Sequence, residues 1–111
     1  MPPASFWEAL ELLYQWQQKN LPGIDSRQGT MLLIWLLKNS GQSRPIGELY
    51  KTGRISEPTM RGCVRTFVAH GLAVIERDEA DARHRFIRGT AKLLQKVQEY
   101  RARLVELGKK P

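Results

Sequence analysis

Two guanidinium groups one helical turn apart, Arg61 and Arg65, stand on the stretch from Ser56 to His70, SEPTMRGCVRTFVAH. A guanidinium offers five donors in a rigid planar fork, which grips a phosphate or the paired acceptors on a guanine edge. Ser56 supplies an N-cap, Pro58 is tolerated in a first turn, and Gly71 supplies a stop, so a helix is predicted between them. Met60, Val64, Phe67 and Val68 recur at helical spacing with Cys63 on their flank, which predicts one buried face. Pro58, Thr59, Arg61, Gly62, Arg65, Thr66 and Ala69 are left outward. That face is slim and cationic, with no acid after Glu57, and suits a helix laid against base-pair edges. It equally fits a helix that needs only one buried side.

Other chemistry is scarce. His70 and His84 are too few and too isolated for a metal site. Cys63 reads either as a redox sensor or as a small packing residue at the core edge. No nucleophile with a matching base, no phosphate-cradling glycine loop and no paired catalytic carboxylates occur, so neither an enzyme nor a cofactor is expected.

A length of 111 residues is one domain by size, here residues 1–111, and is enough to bury a core without staples. A single cysteine excludes an intramolecular disulfide and is compatible with a reducing cytoplasm. No secretory signal is visible at Met1-Pro2-Pro3, and the apolar run Met31 to Leu37 is too short to span a bilayer. A soluble, cytoplasmic protein without a membrane partner is therefore expected. The net charge of +7 is unevenly placed: residues 1–41 hold three basic and three acidic groups, residues 42–92 ten and six, and residues 93–111 five and two. A basic half on a neutral scaffold points to a polyanion.

The elements that must position the Ser56 helix follow in order. Ser5 and Glu8 form an S-x-x-E capping box for an N-terminal helix within residues 1–20, carrying Phe6, Trp7, Leu10, Leu13, Tyr14 and Trp16. So much aromatic surface covers the core, a second copy of the chain, or both. Asn20-Leu21-Pro22-Gly23 breaks it, and Asp25 with Gln28 repeats the capping logic for a helix whose Met31–Leu37 run predicts burial nearly all round. Pro45 opens a short helix through Leu49 and Tyr50 that fades at Gly53. A short helix, a turn and a basic second helix make a helix-turn-helix. Leu72 to Glu76 and Arg83 to Arg88 then read as two antiparallel strands around Asp78–Ala82, forming a wing, although the adjacent Phe86 and Ile87 leave its register open. Thr90 caps a last helix over 90–108, where Leu93, Val97, Tyr100, Leu104 and Leu107 form a heptad seam, extended by Leu94 and Val105.

These residues resemble the MarR-type winged-helix transcriptional regulators over Ile24 to Lys92. Glu48-Leu49 is similar to that family's bracing helix. Ser56, Thr59, Phe67 and Gly71-Leu72 are similar to its recognition helix and exit, and Asp78, Asp81, Arg83 and Thr90 stand at the spacing of its D-x-x-D-x-R…T wing pattern. The departures are Gly62, where a larger polar or basic residue is common, Ala82 and Gly89 in the wing, and Leu93 in place of a glycine. The sequence also stops before the second long C-terminal helix of typical members, so the resemblance carries no expectation for dimer geometry or for the ligand pocket beneath it. It implies that Arg83 enters a minor groove, with Asp81 fixing its direction. An ordinary solvated hairpin is the other reading of the wing.

The expectation is thus a mainly α (α+β) fold, a winged helix-turn-helix core at 24–92 with flanking N- and C-terminal helices and a two-stranded wing. Its expected function is sequence-specific binding of double-stranded DNA as a homodimer, regulating transcription as a repressor. Thr59, Arg61 and Arg65 would approach bases, with Pro58 beside them. Arg54, Ser56 and Arg77 would meet phosphates, and Arg83 and Arg85 would act from the wing. Phe6, Trp7, Leu10, Leu13, Val97, Tyr100, Leu104 and Leu107 would form the dimer interface. A small-molecule effector is left open by the residues but not indicated by them. The rival is a winged-helix protein-interaction module that binds no DNA.

Overall fold

In the computed structural model, residues 5–39, 41–52 and 55–109 are described, which leaves Gly53 and Arg54 outside the account. The element order is α1 (Phe6–Asn20), α2 (Arg27–Lys38), β1 (Arg44–Pro45), α3 (Ile46–Lys51), α4 (Glu57–Ala69), β2 (Ala73–Arg77), β3 (Arg85–Gly89) and α5 (Ala91–Gly108). Helices begin where hydroxyls precede them. The Ser5 Oγ accepts from the Glu8 N–H at 3.2 Å, the Ser56 Oγ from Thr59 at 3.4 Å and the Thr90 Oγ from Leu93 at 3.2 Å. At α2 the expected Asp25 cap gives way to its neighbour Ser26, whose Oγ accepts from the Gly29 N–H at 3.0 Å.

The three strands form an antiparallel sheet in the order β1-β3-β2. The wing strands pair Ala73 with Gly89, Ile75 with Ile87 and Arg77 with Arg85. This fixes the register left open by sequence: Ile87 faces the core and is fully buried, while Phe86 lies on the opposite pleat, beside Pro45 of β1. Strand β1 was not expected, since two residues that also open α3 carry no alternation to recognise.

The core gathers Leu21, Leu32, Leu36, Leu49, Met60, Val64, Phe67, Leu72, Ile87 and Leu93 from every layer. Phe67, with no exposed surface, sits at its centre. Two expectations of burial fail. Ile34 is 46% exposed because α2 is covered on one side only, and Val68 is 38% exposed because α4 turns it away from the Phe67 stripe. Helix α4 ends at Ala69 and is closed off at Gly71, whose φ of +71° suits glycine, with the Leu72 N–H returning to the Phe67 carbonyl at 2.8 Å.

Helix α5 packs against α1, where Trp16 and Tyr100 stack at 6.2 Å and the Arg103 guanidinium lies 4.7 Å from the Trp16 ring centre. The radius of gyration is 16.2 Å, above the roughly 13 Å of a compact chain this long, and the longest extent is 62 Å. The molecule is therefore elongated, and α1 packs chiefly on α5 to make a two-helix arm. Among the described residues no helix is long and apolar enough to cross a membrane.

Candidate nucleic-acid interface

Helix α3, the start of α4 and the wing strand β3 enclose an open cleft of about 440 Å³. Its walls carry Tyr50 from α3, Glu57 and Arg61 from α4, and Arg83, His84 and Arg85 from the wing. The Arg61 Cζ lies 5.3 Å from the Tyr50 ring centre, and Arg61 Nη2 lies 3.4 Å from Glu57 Oε2 one turn earlier. Burial pushes the Tyr50 phenol above its ordinary pKa, against the lowering pull of Arg61, so the ring remains neutral.

Of the residues expected to meet DNA, Ser56, Pro58, Thr59, Arg61 and Arg65 all lie exposed along the leading edge of α4. The Ser56 hydroxyl donates to Thr59 Oγ1 at 2.9 Å, leaving the Thr59 proton free to point outward. Thr66, expected on the outer face, is instead half-buried, with its hydroxyl donating to the Gly62 carbonyl at 3.3 Å. Arg54 lies outside the described residues.

On the wing, Arg77 and Arg85 are direct cross-strand partners. Like charges so placed repel, and an anion between them relieves the repulsion. Beyond them the Asp81 carboxylate takes Arg83 in a two-point grip, Nε to Oδ1 at 3.1 Å and Nη2 to Oδ2 at 3.1 Å. Asp81 is held below the usual carboxylate range first by the Arg83 side chain and then by the Arg83 backbone N–H. On the other pleat, Glu76 Oε1 accepts from the Ser43 hydroxyl at 2.7 Å and from Arg88 Nε at 3.0 Å, fastening the approach to β1 across both wing strands. Arg88 is therefore engaged in holding the wing together. Cationic side chains from three separate segments thus line one side of the molecule.

At this level the architecture can be compared with solved structures. A mutant of MepR from S. aureus bound to an oligodeoxyribonucleotide superposes with a TM-score of 0.64 at 19% identity, covering 94% of this chain and 76% of that one. A candidate MarR-like transcription regulator from Bacillus cereus gives 0.57 at 16% identity, covering 91% and 72%. The fold is the MarR-type winged helix. The PcaV transcriptional regulator from Streptomyces coelicolor, in complex with its natural ligand, adds a TM-score of 0.59 at 16% identity, covering 90% of this chain and 70% of that one. No family model matches the sequence, and no curated relative does. In this MarR-type winged helix, α3 and α4 are the helix-turn-helix pair and β2–β3 the wing.

The residues expected at a dimer interface divide into two groups. Leu13 and Leu107 are buried within the chain, Tyr100 is engaged with Trp16, Val97 is half-buried against the core, and Phe6 is half-buried with its ring edge-to-face on Trp7 at 5.1 Å. Trp7 at 73% exposure, Leu10 and Leu104 stay uncovered, joined by Leu12 at 62% and by Val105. Sequence reasoning missed Tyr50 and Glu57 as partners of Arg61. The four-residue spacing of Glu57 and Arg61 was a usable signal, whereas Tyr50 reaches Arg61 across a turn and left none.

Proposed function

We propose that this chain is a homodimeric transcriptional regulator that binds double-stranded DNA sequence-specifically, with α4 in the major groove and the wing at the minor groove. Repression by occluding a promoter is the expected outcome. The observation that carries this reading is the convergence of Arg61, Arg83 and Arg85 on one cleft, with Arg77 paired to Arg85 across the wing and Arg65 exposed one turn along α4 from Arg61. Charge of one sign gathered from separate segments raises the local potential toward a phosphate backbone. Residues 24–92 would then be the reading core. The flanking helices would form the dimer arm, through the apolar side chains that the α1–α5 packing leaves uncovered.

Those same side chains, Trp7 and Leu12 foremost, favour the second reading, a module whose arm docks on a different protein. Sedimentation with and without mixed-sequence duplex at two salt concentrations separates the readings. Salt-sensitive binding by a homodimer supports the first, and a monomer indifferent to DNA supports the second.

A further inference from the structure

We propose that Tyr50 is a positioning residue that makes Arg61, and not Arg65, the base-reading guanidinium of α4; this rests on the DNA reading above. The two arginines sit one turn apart and face the same side, yet their surroundings differ. Arg61 is held from two directions, by the face of the Tyr50 ring at 5.3 Å and by the Glu57 carboxylate at 3.4 Å. The ring belongs to α3 and packs against the core, so the cation over it inherits the rigidity of the helix-turn-helix. Burial keeps the phenol protonated, and the ring does not acquire a charge of its own at neutral pH.

Arg65 has no hydrogen-bond or ion-pair partner among the described residues. Its Nη2 would lie 3.7 Å from a Cβ placed on Gly62, so the guanidinium sweeps back over bare backbone. A guanidinium fixed before docking loses little freedom when it seats on two acceptors of one base edge, and its direction admits few alternatives. A free one settles on whichever phosphate is nearest. Arg61 therefore specifies and Arg65 anchors. Helix α3 does more than brace α4: through Tyr50 it sets where α4 reads.

The test uses the full chain with Tyr50→Phe, Tyr50→Leu and Arg65→Ala, each checked for folding by circular dichroism. Sequences are selected from a random duplex pool, and affinities are then measured for the preferred duplex and a scrambled one. The wild type and Tyr50→Phe should share a guanine preference of about 5- to 150-fold at one position per half-site. Tyr50→Leu should lose most of that preference while binding scrambled duplex as the wild type does, and Arg65→Ala should weaken both duplexes alike. In the free protein, nuclear relaxation of the arginine Nε–H groups should show Arg61 more ordered than Arg65, and equally mobile in Tyr50→Leu. An undiminished preference in Tyr50→Leu, an equal loss on both duplexes, or a loss in Tyr50→Phe would each overturn the proposal. A wild-type chain that binds neither duplex would overturn the DNA reading, and this proposal with it.

Discussion

Asp81 holds the Arg83 guanidinium with both carboxylate oxygens and also accepts the Arg83 backbone N–H at 3.0 Å, while the Arg83 side chain remains 90% exposed. An ion pair so open to solvent adds little stability. What it adds is direction, since two parallel bonds leave the fork one orientation. The acid at the tip of a wing proposed to approach phosphates is thereby reconciled with its position: its charge is spent on a neighbouring cation.

Asp81→Asn keeps a side-chain oxygen for the Arg83 N–H but gives up the ionic grip. Thermal stability should be nearly unchanged, whereas preference for an A-tract duplex, with its narrow minor groove, over a mixed duplex should fall. Because the folded carboxyl is depressed, the grip is present above the ordinary carboxylate range and lost as pH falls through the folded value. Anisotropy titrations with both duplexes check this, and an A-tract preference equal to the wild type would show that Arg83 needs no aiming.

Thr90 joins the exit of α4 to the start of α5. Its hydroxyl donates to the Gly71 carbonyl at 2.6 Å and accepts from the Leu93 N–H at 3.2 Å, and its own N–H donates to the Leu72 carbonyl at 3.1 Å. Thr90→Val retains shape and the backbone bond but loses both hydroxyl roles, for an expected cost of about 1–2 kcal/mol in urea unfolding. Thr90→Ser should recover most of it. A valine variant as stable as the wild type, with the serine variant below it, would mean that branching, not the hydroxyl, matters there.

What was legible in the chain was what local rules govern. Ser5, Ser56 and Thr90 announce their helices because a hydroxyl three residues before a free N–H is a local device. The Met60–Val64–Phe67 stripe follows from the helical repeat alone. Ser26 displaced Asp25 because adjacent side chains can both cap, and only the backbone entering α2 chooses. Ile34 and Val68 were misplaced because periodicity locates the centre of a buried stripe and not its edges. The contacts that shape the cleft, Tyr50 with Arg61 and β1 with β3, join segments across turns, and only the folded chain brings them together.

Two glycines in helices should respond oppositely to alanine. A Cβ on Gly29 would fall 1.8 Å from the Gly23 carbonyl oxygen, where backbone cannot give way, while one on Gly47 would meet nothing within 4 Å. Gly29→Ala should cost about 1–3 kcal/mol or more as overpacking. Gly47→Ala should gain roughly 0.5–1 kcal/mol by restricting the unfolded chain. Melting of both variants beside the wild type decides it, and a stabilised Gly29→Ala would contradict the close approach of the α1–α2 loop to α2.

Cys63 lies in the core cluster, and burial pushes its thiol from 9.0 to about 11. The reactive species is the thiolate, so burial here favours the packing reading over the redox-sensor one. At pH 8 the native thiol should resist iodoacetamide except through unfolding, and mild peroxide should leave duplex binding unchanged. A folded pKa raised above the unfolded one supports stability fully below pH 9 and withdraws it as pH climbs toward 11. The withdrawn part amounts to roughly 2–3 kcal/mol. Cys63→Ala starts less stable because of the smaller side chain but lacks this alkaline decline, so the stability gap between it and the wild type should narrow from pH 9 to 11. A constant gap would show that the thiol ionises as freely in the folded chain as in the unfolded one.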